Sequence, residues 1–176
     1  MTSRAGKYAR FEFERRFLAN RVPSGLRTDT GWRIYDRYIK NTHLRLRRQE
    51  PLGGGETIYK LGQKNAPSPP DFARTTMTTL YLSRGEYDVL ANLPARELRK
   101  QRKHLSEGGR TFSVDVFEES LAGLVLAEVT VETSRELDEE WQLPGWVSRE
   151  VSDDIRFTGA ALAGLSTDQL ADLIRS

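Results

Sequence analysis

Phe11-Glu12-Phe13-Glu14-Arg15-Arg16-Phe17-Leu18 is the stretch whose reading decides the fold. Successive side chains of a β-strand point to opposite faces, so Phe11, Phe13, Arg15 and Phe17 share one face and Glu12, Glu14 and Arg16 the other. The first face is largely apolar and the second is purely ionic. A lone sheet with one buried and one wet face produces the same alternation, so the stretch gains meaning from repetition. Leu44-Arg45-Leu46-Arg47 places two arginines on one face, and Lys100-Gln101-Arg102 a lysine and an arginine. Val114-Asp115-Val116 and Ala127-Glu128-Val129 present acids in the same way. Strands with such charged faces look like the walls of one cavity, because a closed barrel sends alternate residues into its lumen. A polyanion with metal ions is the partner such a lumen should take.

The chain has 176 residues, within the range of one domain with a substantial core. It has no cysteine, which excludes disulfides, Cys-ligated zinc and thiol catalysis. Lys and Arg number 27 and Asp and Glu 25, a formal net charge of +2, yet the charge is segregated. The first third is rich in arginine and the stretch from Glu132 to Asp154 is mostly acidic. Such asymmetry also suits a nucleic-acid surface. The arginines of an exposed patch need not alternate with leucines on successive strands, however, and the alternation favours a lumen, with no nucleic-acid partner expected. Met1 to Lys7 lack the apolar core of a signal peptide, and no apolar run approaches the roughly 18 residues of a membrane span. A cytoplasmic location without a membrane partner is expected.

Along the chain, strands are predicted over Trp32 to Ile39 and His43 to Arg48, joined by a turn at Lys40-Asn41-Thr42, then over Glu56 to Gly62 and Arg74 to Leu82. Further strands are predicted over Leu98 to Leu105, Thr111 to Phe117 and Leu124 to Thr133. Gly53-Gly54-Gly55 reads as a hairpin tip, since no Gly-Lys-Ser/Thr follows it. Asn65 to Pro70 is too proline-rich for a central strand and reads as a mobile connection. Ser83 with Glu86 three positions on predicts a capping box and a short helix. Ser134 opens a short acidic helix, Pro144-Gly145-Trp146 is irregular, and Ser166 to Ile174 has helical spacing and should pack outside the barrel. His43 and His104 form no site with a nucleophile or a metal cluster, and Trp32, Trp141 and Trp146 read as packing residues.

Glu12-Phe13-Glu14-Arg15-Arg16 resembles the ExExK signature of the CYTH superfamily, the triphosphate tunnel metalloenzymes. Leu44-Arg45-Leu46-Arg47, Tyr59-Lys60-Leu61, Lys100-Gln101-Arg102, Val114-Asp115-Val116-Phe117, Leu126-Ala127-Glu128-Val129 and the closing Glu150 to Phe157 match in the right order. The resemblance runs to about Ala163, so residues 1–176 are expected to form a single CYTH-like domain, with 164–176 a C-terminal helix. It implies an α+β, mainly β fold: a closed antiparallel eight-stranded β-barrel, the triphosphate tunnel, with peripheral helices.

Residue by residue, the resemblance makes Arg45, Arg47, Lys60, Arg74, Lys100 and Arg102 the substrate-binding set. Arginine forks match phosphate oxygens bidentately, and lysine supplies a point charge. It makes Glu12, Glu14, Asp115 and Glu128 the ligands of Mg2+ or Mn2+, hard ions that share oxygen ligands with phosphate. The resemblance implies Glu14 and Arg16 as the catalytic pair, with Arg16 in place of the signature lysine. Glu150 is a lesser candidate for a lid-side contact, and Lys64 could add positive charge near Lys60. Thr76, Thr78, Ser113 and Thr130 stand where many family members have acids, which favours one metal over two. The activity implied is metal-dependent hydrolysis of a triphosphate, inorganic tripolyphosphate ahead of the rest, by a monomer or homodimer. Adenylate cyclase, thiamine triphosphatase and a polyphosphate-binding module with little catalysis stay open as alternatives.

Overall fold

In the computed structural model, which describes residues 7–27, 29–67 and 70–175, the opening stretch lies in β1 (Arg10–Ala19), the strand that closes a barrel. The other staves are β2 (Trp32–Ile39), β3 (Leu44–Pro51), β4 (Ile58–Asn65), β5 (Arg74–Leu82), β6 (Ala95–Glu107), β7 (Arg110–Phe117) and β8 (Val125–Val131). They run antiparallel in the order β5-β4-β3-β2-β6-β7-β8-β1, and β1 returns to β5 from Arg10↔Met77 to Phe13↔Arg74. The expected eight-stranded closed barrel is the observed fold. The lower half of the same β1 edge is taken by a ninth strand, β9 (Val147–Glu150), paired from Phe17↔Glu150 to Ala19↔Val147. This strand is additional to those predicted, because four residues directly behind Pro144-Gly145 carry too short an alternation to read. Met1 to Gly6, Ser68 and Pro69, on which the expectations for the N-terminus and the proline-rich connection partly fell, lie outside the described residues.

β4 runs three residues past the predicted end at Gly62, which has consequences for the lumen. β6 and β7 meet in a two-residue turn, Gly108-Gly109, with φ of 59° and 76°. A tight hairpin needs positive φ at both central residues, and two glycines supply it without steric cost.

Two apolar clusters fix the wall. Outside the barrel, Phe17, Phe112, Val114, Ala127 and Val129 are covered by Trp146 and Trp141. Trp146 stands edge-on to Phe112 at 5.2 Å, and its Nε1 donates to Glu107 Oε2 at 2.9 Å. The second cluster floors the barrel. Leu18, Leu98, Phe117 and Leu126, whose side chains point inward at one end, pack against Val151, Phe157, Leu162, Leu170 and Leu173. Those partners come from the C-terminal segment, with helices α3 (Gly159–Leu162) and α4 (Thr167–Arg175) numbered after α1 (Arg84–Leu90) and α2 (Ser134–Leu137). The helix predicted to pack outside the staves therefore closes one end of the barrel.

The predicted capping box at the start of α1 is present, with Glu86 N donating to Ser83 Oγ and Ser83 N to Glu86 Oε2. Tyr87 of α1 lies 4.8 Å from Tyr59 on the outer face of β4. In α2 the cap is Thr133, one residue before the predicted Ser134, because Glu136 lies three positions after Thr133 and completes the box. Among the described residues no helix is long and apolar enough to cross a membrane.

Candidate functional site: a charged lumen

Directly paired residues on neighbouring strands present their side chains to the same face, so the registers trace the lumen around the barrel. Arg16 is opposite Glu128, Glu128 opposite Ser113, and Asp115 opposite Arg102. Lys100 is opposite Ile34, Asp36 opposite Arg47, and Arg47 opposite Lys60. Glu12 and Glu14 follow on β1, Arg45 on β3 and Lys64 on β4 by the period of two. The strand alternation thus brings Glu12, Glu14, Arg16, Arg45, Arg47, Lys60, Lys100, Arg102, Asp115 and Glu128 to one wall. The mouth lies opposite the apolar floor, where Tyr81 and His104 are exposed.

The charges fall into three zones. In the first, Asp115 is 1% exposed and accepts from Lys100 Nζ at 2.5 Å, Arg102 Nε at 2.7 Å and Arg102 Nη2 at 2.6 Å. Arg102 Nη2 also reaches Glu128 Oε2 at 2.5 Å, and Arg16 Nε donates to Glu128 Oε1 at 3.0 Å. Burial would raise the Glu128 carboxyl, but Arg102, Arg16, Lys100 and Lys64 hold it well below the usual carboxylate range. Asp115 is lowered in the same way against burial, by Arg102 and Lys100. Cations outnumber acids here.

In the second zone Lys64 Nζ is 2.6 Å from Glu14 Oε2 and 3.2 Å from Glu12 Oε2. Burial pulls this ammonium toward neutrality, yet Glu14 and Glu12 hold it above the ordinary lysine value. Within contact distance acids outnumber the cation, and Arg16 and Arg102 also feel the Glu14 charge from further off. In the third, Asp36, also 1% exposed, accepts from Arg47 Nε and Nη2, both at 2.6 Å. Arg47 and Arg45 keep its carboxyl below the usual range despite burial. Arg45 Nε lies 3.8 Å from Asp36 Oδ1 and is buried without a hydrogen-bond partner. Lys60 has no carboxylate partner among the described residues, and burial, Arg47 and Arg45 lower its pKa. Gly62 faces Arg45 across β3 and β4; a Cβ there would lie 3.8 Å from Arg45 Nη2 and 3.0 Å from Met77 Cε. Glycine at this position makes room for the Met77 side chain next to Arg45.

Some predicted positions need correction. Arg74 is paired with Phe13 and points away from the lumen, where Nη1 meets Asp71 at 3.1 Å and Nη2 meets Asp138 at 2.6 Å. The register Glu12↔Thr75 turns Thr75 and Met77 inward, and Thr76 and Thr78 outward with Arg74. Glu150 is likewise on the outer wall, paired with Arg15 and accepting from Ser152 Oγ at 2.5 Å. Asp36 escaped the sequence reading, and Lys64 was read only as added charge near Lys60. Asp36 was legible as a member of the alternation Trp32, Ile34, Asp36, Tyr38. Lys64 was obscured by Gly62, which breaks the strand signal without ending the strand.

The closed antiparallel barrel of eight strands is that of the CYTH fold. No protein-family model matches it, and no curated protein matches it by sequence. Solved structures are similar to it. NE1496, described as a hypothetical protein, superposes with a TM-score of 0.59 at 23% identity, over 88% of this chain and 99% of that one. A second crystal structure of NE1496, there described as an inorganic triphosphatase, gives 0.58 at 24% identity, over 86% and 93%. PH1819 from Pyrococcus horikoshii gives 0.51 at 18% identity, over 72% of this chain and 82% of that one. A candidate adenylate cyclase from Bacillus halodurans gives 0.52 at 14%, over 74% and 86%. At these identities the likeness is one of fold.

Proposed function

We propose that this chain is a triphosphatase, binding a triphosphate in the lumen and cleaving a terminal phosphoanhydride, with inorganic tripolyphosphate as the substrate that fits best. One observation carries the reading: Arg45, Arg47 and Lys60 converge with Asp36 as their only acid among the described residues, and Arg45 Nε makes no hydrogen bond. Guanidinium forks and an ammonium without a carboxylate suit phosphate oxygens. The description of NE1496 as an inorganic triphosphatase supports the choice of substrate.

Glu12 and Glu14 fit a divalent ion, since they are oxygen donors in excess over the one cation in contact with them, whereas Asp115 and Glu128 are already exceeded by Lys100, Arg102 and Arg16. Magnesium or manganese held at Glu12 and Glu14 would supply polarisation of the scissile phosphoryl group. The residues do the rest. Arg45, Arg47 and Lys60 grip the phosphate chain, and Lys100 and Arg102 neutralise it from the opposite wall. Arg16, oriented by Glu128, stabilises charge developing on the transferred group. Glu14 positions the attacking water, so no covalent intermediate is needed.

A second reading, a polyphosphate-binding module, is favoured by one feature: the Lys64 ammonium already lies against both Glu12 and Glu14. Phosphate release from tripolyphosphate, nucleoside triphosphates and thiamine triphosphate, each with magnesium, manganese or chelator, separates the two. Metal-dependent release from tripolyphosphate supports the enzyme. Tight binding with no release under any condition leaves the module.

A further inference from the structure

The Lys64 ammonium occupies the place between two carboxylates that the proposed reaction gives to a divalent ion. Its distances of 2.6 Å to Glu14 and 3.2 Å to Glu12 are those of a shared, charge-assisted contact, and Glu14 keeps only 15% of its side-chain exposure. The sequence puts it there by periodicity: β4 sends Lys60, Gly62 and Lys64 into the lumen, and Lys64 closes on β1 across β5. An ammonium with three donors can answer two carboxylates, but it carries half the charge of a divalent ion and is tethered. A free ion entering this pair would have to displace it and then face its positive charge.

We propose that Lys64 is an internal counter-ion that keeps the Glu12–Glu14 pair closed to metal until a triphosphate is bound, so that metal and triphosphate bind cooperatively. This rests on the triphosphate reading of the lumen. A phosphate chain held at Lys60 and Arg45 offers the ammonium a competing anion beside its own strand, and the negative charge it brings makes room for a divalent cation. By linkage each ligand then raises the affinity of the other by the same factor. Lys64 is a positioning residue in this scheme.

The test is calorimetric titration of MnCl2, without phosphate, into chelator-stripped wild type, Lys64→Met and Lys64→Gln. Both variants should bind Mn2+ at least about tenfold more tightly than wild type, and Glu14→Gln added to Lys64→Met should abolish the gain. If Lys64→Met folds only with metal, recovery of cooperative melting on adding MnCl2 supports the proposal as well. Wild type binding Mn2+ as tightly as the folded variants overturns it, and so does a gain that survives Glu14→Gln. Tripolyphosphate binding by wild type in chelator is measured alongside. Its absence would remove the triphosphate reading while a Lys64-dependent block on Mn2+ still stood.

Discussion

Among the described residues Lys60 has no carboxylate of its own, and its depressed pKa makes it a reporter of the site. In the free protein burial, Arg47 and Arg45 favour the neutral amine, whereas a bound polyanion favours the ammonium. Above the lowered free-state pKa, binding must take up a proton, so tripolyphosphate affinity is expected to fall as pH rises through that value. Lys60→Arg stays charged and should move the fall to higher pH. Calorimetry of both proteins in the same alkaline buffers checks this, because protonation of the ligand itself is common to the two.

Asp36 makes the opposite prediction. Asp36→Asn leaves Arg47 and Arg45 without their buried counter-charge, a loss on the order of 3–5 kcal/mol when one partner of such a pair is removed. Tripolyphosphate should raise the melting temperature of the variant more than that of wild type, since the ligand returns the missing charge. The sign for wild type also follows. The Asp36 carboxyl is lower in the folded than in the unfolded chain, so its stabilisation is present above the unfolded value near pH 4 and is lost as pH falls through the folded value. A residue is legible in the sequence when charge and period coincide, as at Arg45 or Glu128. Asp36 was missed because a single acid among Tyr35, Arg37 and Tyr38 carries no repeat of its own.

At the scale of elements, alternation revealed the strands but not how they are staggered. Arg74 carries a basic residue in the right kind of strand, yet the pairing of Phe13 with Arg74 puts it outside, and a shift of one residue in register exchanges the two faces. Register depends on which partner a strand meets, information that lies in distant residues. The C-terminal helix was legible by its spacing, and its docking place was not, because the floor residues Leu18, Leu98, Phe117 and Leu126 come from four separate strands. Phe157 is fully buried against that floor. Phe157→Ala should cost about 3–5 kcal/mol, read as a lower denaturation midpoint with an unchanged slope. The charged zones lie further up the barrel, so the folded fraction should keep its affinity for tripolyphosphate.

The whole molecule is nearly neutral outside any local pattern, with a formal charge of +2, yet its lumenal cations outnumber its lumenal acids. Such a surplus costs stability in the empty protein and is relieved by an anion of matching shape. Tripolyphosphate in chelator should therefore raise the melting temperature, by an amount equivalent to roughly 2.7 kcal/mol at a hundredfold excess over its Kd. Sulfate at the same ionic strength should do far less, and an equal effect would show general screening instead of a site. Duplex DNA should show no steeply salt-dependent binding of the kind that phosphate contacts produce.

Among the described residues the apolar floor closes one end of the barrel. For the proposed triphosphatase this dictates how a polymer is handled. A long polyphosphate cannot be threaded through and can offer only a terminus, so the concentration of chain ends, not the mass of polymer, sets the rate. Trimmed product must back out along the path the next substrate needs, which makes its departure a natural bottleneck for turnover.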